Sequence, residues 1–170
     1  MRQVILDTET TGLNPATGDR IIEIGCVEMV GRRLTDRTFH YYINPERDID
    51  AGAFAVHGLS REFLSDKPIF ANIVEQLIEF VDGAEIVIHN AAFDLGFLDN
   101  EFALLKRPPF RNLASKITDT LLDARQMFPG KPHTLPNQNQ QQWLMSLNFR
   151  HEEKSNDVPS RDPQAFLRFY

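Results

Sequence analysis

The sequence predicts an α/β domain, a mixed sheet flanked by helices packed on its faces. Three observations carry this. Apolar runs of strand length come first, joined by polar turns, and strand and helix patterns then alternate to about residue 130. The 170 residues, 42% of them hydrophobic, suffice for one well-buried domain and are too few for two comfortable ones.

The elements follow in order. Residues 4–6, "VIL", read as a short buried strand. Residues 20–30, "RIIEIGCVEMV", and 38–43, "TFHYYI", read as two more, joined across "GRRLTD", a polar connection with an early glycine, so a three-strand meander is expected. In "SDKPIFANIVEQLIEFVDG", Ile69, Ile73, Leu77, Ile78 and Val81 recur near helical spacing and Gly83 marks the stop. Residues 85–89 form a fourth strand that runs into "NAAFDLGFLDNEFALLKRPP". There Phe93, Phe97, Leu98 and Phe102 mark a helix face, and the double proline ends it. Residues 117–119 are a fifth, brief strand, followed by the helix "TLLDARQMF".

From residue 136 the text changes. "NQNQQQ" is an amide tract, "RHEEKSNDVPSRDP" is polar with two prolines, and only "WLMSLNF" and "FLRFY" keep apolar clusters. Two readings stand for residues 136–170: a divergent tail, irregular or partly disordered, or an irregular cap whose Trp143, Phe149, Phe166 and Phe169 dock on the domain.

A balance of 18 basic against 24 acidic residues, net charge -6, argues against a protein that coats nucleic acid through a broad basic face. It leaves room for a nucleic-acid enzyme whose acidic site recruits metal ions to supply positive charge. The single cysteine, Cys26, excludes an internal disulfide and suits a reducing, cytoplasmic setting. "MRQVILD" reads as neither a signal peptide nor a membrane anchor, and no apolar run reaches the length of a membrane span.

The segment "LDTETTGL" poses the functional question. Asp7 and Glu9 are two residues apart on a strand, so their side chains leave one face with Cα atoms roughly 6–7 Å apart. Two like charges that close repel unless something positive lies between them. The second strand-to-helix junction, "VIHNAAFDLGFL", repeats the placement: Asp94 follows an apolar strand in the first turn of a helix. Sites in such sheets gather in the crevice beyond the strand ends, where Asp7, Glu9 and Asp94 can converge. Oxygen donors of this kind suit Mg²⁺ or Mn²⁺, and no Cys/His ligand cluster points to zinc. Two ions about 3.5–4 Å apart hold the attacking and leaving oxygens of phosphodiester hydrolysis.

"LDTETTGL", "RIIEIGCVEM", "AVHGL" and "VIHNAAFDLGFLDNEF" together resemble the proofreading 3′-to-5′ exonucleases of the DEDD superfamily, in particular the epsilon subunits of bacterial DNA polymerase III. The resemblance covers residues 1–135, through "ITDTLLDARQMFPGKPHTL". It implies a ribonuclease H-like fold with a five-stranded mixed sheet, and an exonuclease domain over 1–135. It further implies two Mg²⁺ or Mn²⁺ ions: Asp7 bridging both, Glu9 on the ion that activates water, and Asp94 on the other directly or through water. His57, by itself a loop residue with a structural hydrogen bond, matches a histidine used near the bound terminal nucleotide. Thr10, Thr11 and Gly12 would contact the same nucleotide, although a simple turn explains them almost as well. His89 and Asn90 read as junction residues that fix the loop. The implied partners are a DNA 3′ end, the polymerase catalytic subunit and a small stabilising subunit.

The chain also departs from the family's pattern. A third motif there supplies a histidine and, five positions later, an aspartate, as general base and fourth metal ligand. Here "PNQNQQQWLMSLNF" follows Leu135, and the nearest imitation, His151 and Asp157, is spaced one residue too far. Gly52 stands where related chains often carry an acid, and no docking tail for the catalytic subunit is apparent before Tyr170. Two functional classes therefore stay open: an exonuclease, or a catalytically silent subunit or gene remnant that keeps the fold and its binding.

Overall fold

In the computed structural model, which describes residues 1–127 and 129, the aliphatic and β-branched run at the start of the chain forms β1, Arg2–Thr10. It is longer than its apolar stretch suggests, because Asp7, Thr8, Glu9 and Thr10 continue the strand with all four residues buried. β2, Ile21–Val30, and β3, Arg33–Tyr42, complete the expected meander, reversing at Gly31 and Arg32, both with positive φ. β3 begins earlier than its apolar residues imply, since it pairs with β2 through exposed polar positions.

β4, Glu85–Ile88, and β5, Lys116–Asp119, add parallel to β1, giving a five-stranded mixed sheet in the order β3-β2-β1-β4-β5. β1 is therefore central. Val4 and Leu6 on one face of β1 join Ile24 and Cys26 of β2, Phe39 of β3, and Ile86 and Ile88 of β4 in the main core. The Cys26 thiol is buried there, and burial pushes its pKa far up, so it is a packing group.

The helices follow the segments read for them, with two additions. α1, Ala51–His57, and the short α2, Arg61–Leu64, occupy a stretch to which the sequence pattern assigns no element and in which His57 reads as a loop residue. "AGAFAVH" has no apolar stripe and leaves Phe54 and Val56 exposed, so periodicity gives no signal; Gly58, φ 73°, ends the helix in a left-handed cap. α3, Phe70–Val81, buries Phe70, Ile73, Val74, Leu77, Phe80 and Val81, and stops before Gly83, φ 69°. α4, Ala91–Leu104, is buried around much of its circumference, including Asp94 and Glu101. α5, Thr120–Met127, is the last described helix.

Glu101 ties α4 to the sheet. It accepts from Arg20 at 2.7 and 2.8 Å in a bidentate pair and from the Ile21 amide at 3.3 Å, with its side chain 2% exposed. Removing one partner of such a pair strands the other charge. Arg20→Met should lower stability by about 3 kcal/mol in urea unfolding, whereas Arg37→Met, removing an exposed guanidinium from Glu28, which keeps Arg2 as a partner, should cost about 1 kcal/mol or less.

His133, His151, Asp157 and the tail aromatics lie outside the described residues. Among the described residues no helix is long and apolar enough to cross a membrane.

Candidate active site

Asp7 and Glu9 share the face of β1 opposite to Val4 and Leu6, as alternation requires. Across β2, Asp7 pairs with Gly25 and Glu9 with Glu23; across β3, Gly25 pairs with His40 and Glu23 with Tyr42. Two rungs of paired residues thus run from the acids toward the sheet edge.

Asp94 arrives from the other side of β1. Its Oδ1 accepts from the Thr8 amide at 3.0 Å and the Thr8 hydroxyl at 2.7 Å, so the residue between Asp7 and Glu9 draws the third acid in. The turn that delivers it is tight. Asn90 adopts φ 65°, a conformation asparagine tolerates, so β4 passes into α4 across two residues. Asp119, beside the end of β4, accepts from the Asn90 amide at 3.1 Å and the Ala91 amide at 3.0 Å, and from Leu121 at the start of α5 at 2.9 Å. The junction is therefore fixed by Asp119, with His89 Nδ1 3.0 Å from the Thr120 hydroxyl as a second tie.

The electrostatics are one-sided. Burial pushes the Asp7 carboxyl well above the usual range, and the charges of Asp94, Glu9 and Glu23 push it further. Glu9 is raised to about 8, by burial first and then by Glu23 and Asp94. Asp94 is raised to about 7 by burial, against the lowering effect of its Thr8 hydrogen bonds. Asp7 Oδ2, Glu9 Oε1 and Glu23 Oε2 are buried without a hydrogen-bond partner. Among the described residues no group of three or more His, Cys, Asp or Glu side chains stands in metal-holding geometry, and the acids here are buried. Oxygen-only donors, unsatisfied carboxylate oxygens and uncompensated charge together fit a hard divalent cation.

The neighbouring turn is held from within. The Thr10 hydroxyl donates to the Gly12 carbonyl at 2.6 Å, and the Thr11 hydroxyl donates to Asp19 at 3.0 Å and accepts from the Arg20 amide at 3.1 Å. Both hydroxyls thus serve the turn. Gly12 is required by space: a Cβ there would lie 2.5 Å from Asp19 Oδ2 and 2.6 Å from Asp50 Oδ2. His57, which ends α1, is buried, and burial lowers its pKa; Nδ1 accepts from the Leu59 amide at 3.0 Å, which leaves the neutral ring's proton on Nε2.

Sequence reasoning singled out neither Glu23 nor Asp119. A signal for Glu23 was present: a lone acid inside the apolar run "RIIEIG".

A five-stranded mixed sheet in this order, flanked by helices, is the ribonuclease H-like fold, the fold of the exonucleases it resembles among solved structures. The chain belongs to the Exonuclease family (RNase_T), which residues 4–152 match. It is 54% identical over 139 residues to the DNA polymerase III subunit epsilon of Salmonella typhimurium and 55% over 139 to that of Escherichia coli, in each case covering 79% of this chain and 57% of the relative. With that of Rickettsia felis it shares 52% identity over 136 residues, 79% of this chain and 59% of the relative. The chain thus spans under three-fifths of the length of these relatives. Among solved structures, exonuclease X in complex with 5′ overhanging duplex DNA matches with a TM-score of 0.59 at 24% identity, covering 78% of this chain and 68% of that one. Product-bound exonuclease I matches with a TM-score of 0.66 at 18% identity over 79% of this chain and 34% of that one. At these identities the likeness is one of fold.

Proposed function

We propose that the chain carries a 3′-to-5′ exonuclease centre of the proofreading kind, removing terminal nucleotides from a DNA 3′ end by two-metal-ion hydrolysis. The observation that carries this reading is the meeting of Asp7, Glu9 and Asp94 on the central strand, with buried oxygens of Asp7 and Glu9 unpaired. The relatives named as epsilon subunits support DNA and replication as its setting.

In this reading Asp7, Glu9 and Asp94 hold two Mg²⁺ or Mn²⁺ ions. Bound, such ions activate water and stabilise the charge that develops at the phosphate. The chain's own groups do the positioning. Thr8 orients Asp94, Asp119 fixes the turn that presents it, and the sheet holds Asp7 and Glu9 side by side. The turn at Thr10, Thr11 and Gly12, with His57, forms the wall that receives the terminal nucleotide; the hydroxyls are already used, so their contribution is shape. The exonuclease domain is residues 1–135, and 136–170 diverge. The partners proposed by likeness are the polymerase catalytic subunit and a small stabilising subunit, in the cytoplasm.

A second reading, a catalytically silent subunit, is favoured by the sequence after Leu135, where no histidine is followed five residues later by aspartate. Lacking a positioned base slows such a reaction about 10²- to 10⁴-fold. One assay separates the two: trimming of an end-labelled single-stranded DNA in Mg²⁺ and then Mn²⁺, with an RNA of the same sequence alongside and Asp7→Ala as blank. Mononucleotide release that the substitution abolishes establishes the enzyme. Folded protein that trims no more than the blank establishes the silent subunit.

A further inference from the structure

Glu23 has no role in the three-acid reading, yet it is 4% exposed and stands directly across from Glu9 in the β1–β2 register. Paired positions carry their Cβ atoms about 4.5–5.5 Å apart on one face. Asp7 is Glu23's diagonal neighbour, and its own partner, Gly25, places no side chain in that rung.

The two oxygens of Glu23 live differently. Oε1 lies 2.7 Å from His40 Nε2, and Tyr42 is the residue paired across from Glu23 on β3. Oε2 is buried with no hydrogen-bond partner. A carboxylate kept only to anchor β3 would be expected to satisfy both oxygens. Here the unsatisfied one belongs to the face where Asp7 Oδ2 and Glu9 Oε1 are unsatisfied too.

We propose that Glu23 is a fourth acid of the cation site, lending charge and one acceptor oxygen to the cluster while His40 fixes its other oxygen. This rests on reading Asp7, Glu9 and Asp94 as cation-binding. The fourth carboxylate is thus drawn from β2, within the described residues. It adds negative charge beside Glu9 that metal-free protein must tolerate and that a divalent ion neutralises.

The test is calorimetric titration of Mn²⁺ into the full chain without DNA, for the parent, Glu23→Gln and Asp7→Ala, with thermal melts in EDTA. Glu23→Gln should bind Mn²⁺ about 10- to 100-fold more weakly and melt at or above the parent temperature in EDTA, because one crowded charge is gone. If Glu23→Gln binds like the parent while Asp7→Ala has lost binding, this inference alone falls. It falls equally if the variant weakens binding only with a lower melting temperature in EDTA, which would make Glu23 a strut for His40. A parent that binds no Mn²⁺ overturns the inference together with the reading on which it rests.

Discussion

Asp7→Asn should make the metal-free protein more stable while removing most of its affinity for divalent cations. The two effects have one cause. Asp7 is 5% exposed on the central strand, and its carboxyl is raised by burial and by the charges of Asp94, Glu9 and Glu23. Near neutral pH the fold therefore holds a crowd of acids against their preference. Asparagine keeps the shape and the acceptor oxygen and removes an ionisable group whose charged form burial and its acidic neighbours disfavour, which should add on the order of 2 kcal/mol in EDTA. The same deletion removes a hard oxygen donor from the centre of the cluster and should weaken Mn²⁺ binding by on the order of 100-fold or more. Urea unfolding in EDTA and calorimetry in Mn²⁺ measure the two halves. A variant that is less stable in EDTA and still binds Mn²⁺ like the parent would make Asp7 a structural residue.

That opposition between stability and binding was partly legible in the sequence. "LDTETTGL" and "VIHNAAFDLGFL" show three acids at strand ends because alternation and the first helical turn are local patterns. The antiparallel meander was also accessible, since short polar turns join its strands, but the placing of β4 beside β1 was not. What sits across a sheet is not local. Glu23 becomes part of the acidic face through the pairing Glu9↔Glu23, which depends on a register fixed by the whole β1–β2 hairpin. Asp119 likewise acts through a parallel neighbour, reaching the start of α4 from the end of β5. His57 was placed in a loop because α1 lacks an apolar stripe, although a helix ending in Gly58 holds it. Thr10 and Thr11 show the reverse: hydroxyls that looked available are spent on Gly12, Asp19 and Arg20.

The metal-free protein should also lose stability as pH rises from about 4.5 to about 8, a range in which many proteins are near their maximum. Glu9 is raised from 4.5 to about 8 and Asp94 from 3.8 to about 7, with Asp7 raised in the same direction. An acid whose folded pKa lies above its unfolded value keeps its proton more tightly in the native state. Its contribution is fully present below the unfolded pKa and is lost as pH rises through the folded one. His57 opposes this: its lowered pKa means that the native state releases a proton early, a contribution gained as pH rises toward 6.5. On the acid side, Glu28 and Glu85 are held low, Glu28 by Arg2 first and Glu85 by Thr118 first, so their contributions are lost as pH falls below 4.5. The stability maximum in EDTA should therefore sit near pH 4.5, with a decline on the order of 3 kcal/mol by pH 8. Mg²⁺ or Mn²⁺ should flatten that decline, because an ion bound only by the ionised native face adds stability as the acids deprotonate. Urea midpoints at half-unit pH steps, in EDTA and in Mn²⁺, read both curves. Coincident curves would mean that no divalent ion engages this face, and a rise toward pH 8 in EDTA would mean that Asp7, Glu9 and Asp94 have counter-charges of their own.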